Sequence, residues 1–89
     1  HVRVRVIAAR RRQEKRQGCA NAQLSRKQID QFCQLNKNQL AMMNTAIERM
    51  QLSARGFHRV LKVARTIADI ENNDKIQDQH LSEALAYRL

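Results

Sequence analysis

The longest apolar repeat of the sequence, between positions 57 and 68, constrains the fold most. At about 100° per residue its apolar side chains fall on one side of a helix, and they are Phe57, Val60, Leu61, Ala64, Ile67 and Ala68. The opposite side is polar and comprises Arg55, Arg59, Lys62, Thr66 and Asp69. A helix over about residues 54 to 71 with one apolar face requires other elements to cover that face.

The rest of the chain also favours helices. Proline is absent and glycine occurs only at positions 18 and 56, which is typical of helices joined by short loops rather than of sheets with many tight turns. Because 89 residues bury only a modest core, we interpret 1–89 as a single domain. We predict an all-α fold, a small bundle of four to five helices.

Side chains that cap helices indicate where each helix begins and ends. Gly18 suits the left-handed conformation of the residue that follows a helix, so we predict that the first helix ends there. At the beginning of that helix, the alternation of valine with arginine in residues 2–6 also suits a strand. Ser25 and Asn36 are capping residues for the second and third helices, and Ser53 for the long one. A last helix begins near Gln77 or Asp78. The predicted core stripe of the third helix is Leu40, Met43, Ile47 and Met50.

No pattern of catalytic or metal-binding residues is evident. The sequence lacks GxxxxGK[ST], HExxH and a local Ser-His-Asp or Cys-His motif, so we expect no catalytic residue in this chain. Cys19 and Cys33 lack metal-ligand spacing, and we expect reduced thiols and no metal. His58 and His80 are isolated, which favours surface or packing roles.

The longest apolar runs have four residues, far fewer than the roughly 20 that span a bilayer, and we expect a cytoplasmic protein. Because the chain begins without Met, we expect it to be a fragment of a longer protein.

The positive charge is unevenly distributed. The net charge is +9, and residues 1–17 contribute +6 of it because they hold seven Lys or Arg against Glu14 alone. Such a segment can meet the phosphates of nucleic acid or of a nucleotide, and it can equally be a solvated helix face.

Arg55 is the residue that best fits a ligand-binding role. It lies in the first turn of the long helix, directly after the capping Ser53, and Gly56 behind it lets another backbone approach closely. Backbone N–H groups and the helix dipole favour an anion at this end, and a guanidinium adds a bidentate, permanently charged clamp. The plainer interpretation is a solvated surface arginine.

The long helix also carries a family resemblance. Residues 52–69 read LSARGFHRVLKVARTIAD, which resembles the signature of the magnesium-chelatase-like AAA+ ATPases of the ComM type. The flanking sequences agree with the same family, so the resemblance covers essentially the whole chain: Val6 to Arg10, Gln13, Arg16 to Gly18, Asn21, Ala22, Ile76, His80, Leu81, Glu83 to Leu85, Tyr87 and Arg88.

The resemblance implies the C-terminal helical lid that closes over ATP in an AAA+ module. Arg55 matches the sensor-2 arginine of the family, and Arg59 is a candidate for a supporting phosphate contact. Walker A, Walker B and the arginine finger are absent from this chain, so ATP and Mg²⁺ are cofactors of the full-length parent, and the fragment itself is no enzyme and needs no cofactor. The implied parent is a hexameric ATPase that acts as a DNA branch-migration helicase in natural transformation. The implied partners are the domain's own AAA+ core, neighbouring subunits and DNA.

Two other functions remain open. The first is a stand-alone basic helical domain that binds nucleic acid, with phosphates on Arg3, Arg5, Arg10, Arg12 and Arg16. Within the parent, three of these arginines are candidates for DNA or interface contacts, namely Arg10, Arg12 and Arg16. Few aromatic residues are present and both phenylalanines fall on apolar faces, which disfavours stacking on single strands. The second function is that of an oligomer interface.

Overall fold

The computed structural model describes residues 2–87, with side chains from position 4 onward, and this range is entirely helical apart from loops. Its elements are α1 (Val2–Gln17), a 3₁₀ helix (Asn21–Gln23), α2 (Arg26–Phe32), α3 (Lys37–Met50), α4 (Ala54–Ile70) and α5 (Asp78–Ala86). The all-α prediction is confirmed with five α-helices. Residues 2–6, whose alternation also suited a strand, belong to α1. Arg88 of the resemblance lies outside the described residues.

The predicted capping residues begin and end the helices. Gly18 has a φ of +80°, a left-handed conformation that glycine adopts without steric cost. The Ser25 hydroxyl accepts a bond from the backbone N–H of Gln28 at 3.2 Å, and the Gln28 side chain accepts one from the Ser25 N–H at 2.9 Å. Asn36 and Gln39 form the same reciprocal pair at the start of α3. These boundaries therefore follow from local hydrogen bonds.

Helix α4 lies at the centre of the bundle, where it packs against α1, α2, α5 and the 3₁₀ helix. Its predicted apolar face is confirmed, since Val60, Leu61, Ala64 and Ala68 are buried and Phe57 and Ile67 are half-buried. Removing such a face from water is the main force that holds a small bundle together. The buried apolar cluster consists of Leu24, Ile29, Cys33, Met43, Val60, Leu61, Ala64, Ile76, Leu81 and Ala84.

The predicted core stripe of α3 is wrong at Leu40, which is 46% exposed. The preceding residue, Gln39, is buried instead, together with Met43. The Gln39 amide donates to the carbonyl of Ile76 at 2.8 Å and to the carboxylate of Asp78 at 3.1 Å. These bonds tie the start of α3 to the segment before α5, so Gln39 rather than Leu40 faces the interior in the first turn. The rest of the stripe faces inward as predicted, with Met43 buried and Ile47 and Met50 half-buried.

His80 is a packing histidine, as the sequence suggests. It is fully buried in α5, its Nδ1 accepts the backbone N–H of Gln77 at 2.9 Å, and its Nε2 lies 3.2 Å from a carboxylate oxygen of Glu71. His58 is half-buried, and its ring lies 5.6 Å from that of Phe57, centroid to centroid. The rings of His58 and His80 both lie beside other side chains of the domain.

Both cysteines are free thiols, with Cys33 buried and Cys19 half-buried. Burial raises the pKa of the Cys33 thiol to about 11, because a thiolate is poorly solvated in an apolar core. Within 2–87 no helix has the length and apolar character needed to cross a membrane. The same part of the chain brings together no group of three or more His, Cys, Asp or Glu side chains suited to a metal ion.

Candidate functional site at the start of helix α4

The first turn of α4 is fixed by Ser53. Its hydroxyl accepts the backbone N–H of Gly56 at 3.0 Å, and such a cap contributes about 1 kcal/mol to helix stability. A Cβ added at Gly56 would lie 3.4 Å from the Ser53 hydroxyl oxygen and 3.6 Å from Leu52 Cδ2. These are ordinary van der Waals distances, so the cap does not itself require glycine at this position; the cap fixes the start of the helix turn that carries Arg55.

Arg55 and Arg59 project from the same face of α4. They are four residues apart, a spacing that puts side chains one above the other on a helix, and both are exposed. Within the described range neither guanidinium forms a hydrogen bond or an ion pair. Two uncompensated positive charges at a helix N-terminus attract anions, and their planar donors suit phosphate or carboxylate oxygens.

A groove of about 750 Å³ runs beside this face. Its walls are α4 on one side and the segment from the 3₁₀ helix into α2 on the other. Lys62 spans the groove at one point, since its ammonium donates to the carbonyl of Ala22 at 3.3 Å. Among the residues that the structure describes, four basic side chains and no acidic side chain line the groove. The full lining is Ala22, Leu24, Arg26, Ile29, Arg55, His58, Arg59, Lys62, Val63, Thr66 and Ile67.

The other flank of α4 holds a buried ion-pair network around Asp69. Its side chain is 1% exposed and lies 2.9 Å from Arg16 and 3.1 Å from Arg65. Arg65, whose side chain is 4% exposed, also donates to the backbone carbonyls of Asn73 at 2.7 Å and Asp74 at 2.8 Å. Buried charges are tolerated only when they are paired and hydrogen-bonded, and this carboxylate satisfies both conditions. We name Arg16, Asn21, Arg65 and Asp69 the Asp69 network.

Asn21 joins the 3₁₀ helix to this network. It is buried, and its amide donates to Asp69 at 2.9 Å and to the hydroxyl of Thr66 at 3.0 Å. Its backbone N–H donates to the side chain of Gln13 at 2.9 Å, and its side-chain oxygen accepts from Gln17 at 2.8 Å. Helix α1, the 3₁₀ helix and α4 are therefore held together by polar bonds as well as by apolar contact.

The network also determines the ionisation of Asp69. Burial alone raises the pKa of a carboxyl, but hydrogen bonds from Arg16 and Asn21, together with the charges of Arg65 and Arg16, outweigh it and hold the pKa below the usual 3.8. The carboxylate is thus charged at neutral pH. The sequence placed Asp69 on the polar face of α4, and that placement is wrong: α1 and the 3₁₀ helix cover this flank. The i, i+4 spacing of Arg65 and Asp69 is the one signal in the sequence from which this ion pair could have been predicted.

The three arginines that are predicted to contact DNA or an interface have different environments in the structure. Arg10 is exposed and free of bonds to other described residues. Arg12 donates to the backbone carbonyl of Asp69 at 2.6 Å, and Arg16 belongs to the Asp69 network. Only Arg10 therefore presents an unoccupied guanidinium, while Arg12 and Arg16 hold α1 against α4. Arg55 and Arg59 lie on one face of α4 and both line the groove; their contact with phosphate stays a prediction.

Comparison with known proteins identifies the family. The model of the family described as magnesium chelatase, subunit ChlI C-terminal, matches residues 1–88. The chain belongs to this family. Three curated proteins align with this chain over 87 residues, which is 98% of the chain. They are the uncharacterized protein YifB of Escherichia coli at 48% identity, the competence protein ComM of Haemophilus influenzae at 42%, and YifB of Salmonella typhimurium at 46%.

These matches confirm the resemblance that residues 52–69 and the flanking segments carry. The chain spans 17% of the length of each of these relatives. It is a C-terminal magnesium chelatase domain, all-helical and related to ComM and YifB.

Proposed function

We propose that this domain is the lid of a ComM-like AAA+ ATPase and that Arg55 contacts the terminal phosphate of ATP held by the parent's nucleotide-binding core. The observation that carries the proposal is the position of Arg55: exposed, without an ion pair among the described residues, and fixed by the Ser53 cap at the positive end of α4. A guanidinium in this position adds charge-assisted hydrogen bonds where phosphate charge develops. Arg59, one turn further along, supplies a second contact.

The chemistry of the reaction resides elsewhere in the parent. ATP and Mg²⁺ bind to the core, and this domain contributes charge and position. When hydrolysis removes the γ-phosphate, Arg55 loses its partner and the orientation of the lid changes with it. In a hexameric ring this movement is passed to neighbouring subunits, and the parent acts in the cytoplasm as a DNA branch-migration helicase during natural transformation.

The test is Arg55→Ala in the full-length parent. Loss of one donor aimed at developing charge lowers kcat roughly 10²-fold, so we expect ATP turnover to fall by about that factor while the far-UV circular dichroism spectrum stays unchanged. Arg55→Lys keeps the charge and loses the planar fork, and it should recover only part of the rate. The matched control is Arg49→Ala, which removes an exposed arginine at the end of α3. Unchanged turnover in Arg55→Ala would remove the proposed contact.

The stand-alone nucleic-acid-binding function has less support. Of its five arginines, Arg12 and Arg16 are bonded to Asp69, and the side chain of Arg3 lies outside the described part of the structure. Arg5 and Arg10 remain exposed. A domain that binds phosphates as its main function loses affinity steeply with salt, so duplex binding by the isolated chain at increasing ionic strength distinguishes the two functions.

A further inference from the structure

Arg26 lies on the wall of the groove opposite Arg55. It is the first residue of α2 and directly follows Ser25, whose hydroxyl accepts the backbone N–H of Gln28 at 3.2 Å while the Gln28 side chain accepts the N–H of Ser25 at 2.9 Å. This reciprocal pair fixes the first turn of α2, as the Ser53 cap fixes that of α4. Each wall of the groove therefore presents an arginine from the first turn of a capped helix.

The guanidinium of Arg26 has no partner among the described residues. Arg26 is exposed and forms neither a hydrogen bond nor an ion pair within that range. The next carboxylate along α2 is that of Asp30, one turn further on, and Asp30 does not line the groove. An arginine has five N–H donors and no acceptor, so the donors of Arg26 are available to an acceptor that enters the groove.

The groove offers a ligand positive charge rather than apolar contact. Leu24 and Ile29 at its base are 4% and 2% exposed and belong to the core. The basic side chains of the lining come from both walls, and within the described range no carboxylate lies among them. A chain of phosphoryl groups carries negative charge along its length, so it can pair with guanidinium groups on both walls, which bind phosphate oxygens in a planar, bidentate geometry.

We propose that Arg26 binds the phosphate chain of the nucleotide that Arg55 contacts, at a phosphoryl group other than the terminal one. The inference rests on the proposed function and deepens it, because it assigns a nucleotide contact to the α2 wall as well as to α4. An interaction that is present both in the bound substrate and in the transition state changes the affinity for ATP rather than the rate of the chemical step. Arg26 is therefore a substrate-binding residue, whereas Arg55 acts on the terminal phosphate.

The test is Arg26→Gln in the full-length parent, with two measurements. In steady-state ATP turnover, we expect KM to rise about ten-fold, the effect of losing one charge-assisted hydrogen bond, while kcat stays within about two-fold of the wild type. The second measurement is the binding of ADP by isothermal titration calorimetry. Because ADP lacks the terminal phosphate, its Kd should also rise about ten-fold in Arg26→Gln and should be unchanged in Arg55→Ala.

Two further variants of α2 are the controls. Arg26→Lys keeps the charge and loses the planar fork, so KM should return to within about three-fold of the wild type. Lys27→Gln removes one positive charge from the next residue, which is exposed and does not line the groove. At about 150 mM salt, where charges more than about 8 Å apart are largely screened, Lys27→Gln should change KM by less than about two-fold. Unchanged far-UV circular dichroism shows that each variant is folded.

Four results would overturn the proposal. They are an unchanged KM in Arg26→Gln, an equal rise of KM in Lys27→Gln, a rise of KM that Arg26→Lys does not reduce, and a Kd for ADP that stays at the wild-type value in Arg26→Gln. The last result would move the contact to the terminal phosphate. The proposed role of Arg55 is measured by kcat, and that of Arg26 by KM and by the affinity for ADP, so either can fail while the other holds.

Discussion

Replacing Asp69 by asparagine removes one negative charge from the Asp69 network while keeping the size of the side chain. Arg65, with its side chain 4% exposed, then loses the negative charge of the carboxylate 3.1 Å away and retains the carbonyls of Asn73 and Asp74. Removing one partner of a buried ion pair costs about 3–5 kcal/mol. Arg16, 26% exposed, is solvated more easily, and its contribution is closer to the value of up to about 1 kcal/mol for surface pairs.

The two retained carbonyl bonds place the expected loss at the lower end of that range. We expect Asp69→Asn to lower the free energy of unfolding at neutral pH by about 3 kcal/mol. In a domain of this size, 1 kcal/mol corresponds to about 4–8 °C in Tm, so the midpoint should fall by about 12–24 °C. Urea denaturation followed by circular dichroism measures the free energy, and a thermal scan measures the midpoint.

The pH dependence provides a second measurement on the same variant. Because the folded-state pKa of Asp69 lies below the unfolded value of 3.8, its contribution is complete above that value and is lost as the pH falls through the folded pKa. The unfolding free energy of the wild-type chain should therefore decrease below about pH 4, and the gap to Asp69→Asn should narrow.

Asp30→Asn is the control, because Asp30 is exposed and forms no ion pair with another residue of 2–87. It should change the unfolding free energy by less than about 0.5 kcal/mol. If Asp69→Asn lowers the unfolding free energy no more than this control does, the argument that the network stabilises the fold is refuted. If the difference in unfolding free energy between the wild type and Asp69→Asn stays unchanged at low pH, the role assigned to ionisation of Asp69 is refuted.

Three further predictions concern the core, the cap of α4 and the thiols. Ala64→Arg should unfold the domain, seen as loss of the circular dichroism signal, because Ala64 is fully buried and an unpaired charge there has no partner; a folded variant would contradict the observed packing. Ser53→Ala should cost about 1 kcal/mol in urea denaturation, whereas Ser82→Ala, exposed within α5, should cost nothing. Iodoacetamide should label Cys19 well before Cys33, since a pKa of about 11 leaves about 0.1% thiolate at pH 8; equal rates by mass spectrometry would contradict this.

The helix boundaries could be predicted because they depend on neighbours in sequence. Ser25, Asn36 and Ser53 each bond to a backbone N–H three residues ahead, and Gly18 adopts a conformation that few other residues accept. None of these interactions requires knowledge of the tertiary structure. The apolar face of α4 is predictable for the same reason, since a helix of known period fixes which side chains share a side.

The errors occur where another element decides the outcome. Leu40 is exposed and Gln39 buried because the Gln39 amide bonds to the segment before α5, a contact 37 residues away in sequence. Asp69 is buried because α1 lies over it. The same distinction applies to the candidate site. The exposure of Arg55 follows from its place in the first turn of α4 and is predictable. The groove depends on how α2 lies against α4 and could not be predicted.

The Asp69 network fixes α1 to α4 at the end of α4 that is farthest from Arg55. Fourteen residues separate Asp69 from Arg55, and at about 1.5 Å per residue this arm is about 21 Å long. A tilt of about 5° around the joint therefore displaces the guanidinium end of the helix by about 2 Å, enough to make or break a hydrogen bond. Because α4 packs against α1, α2 and α5, a small rotation of the whole domain about this end moves Arg55 by the same distance.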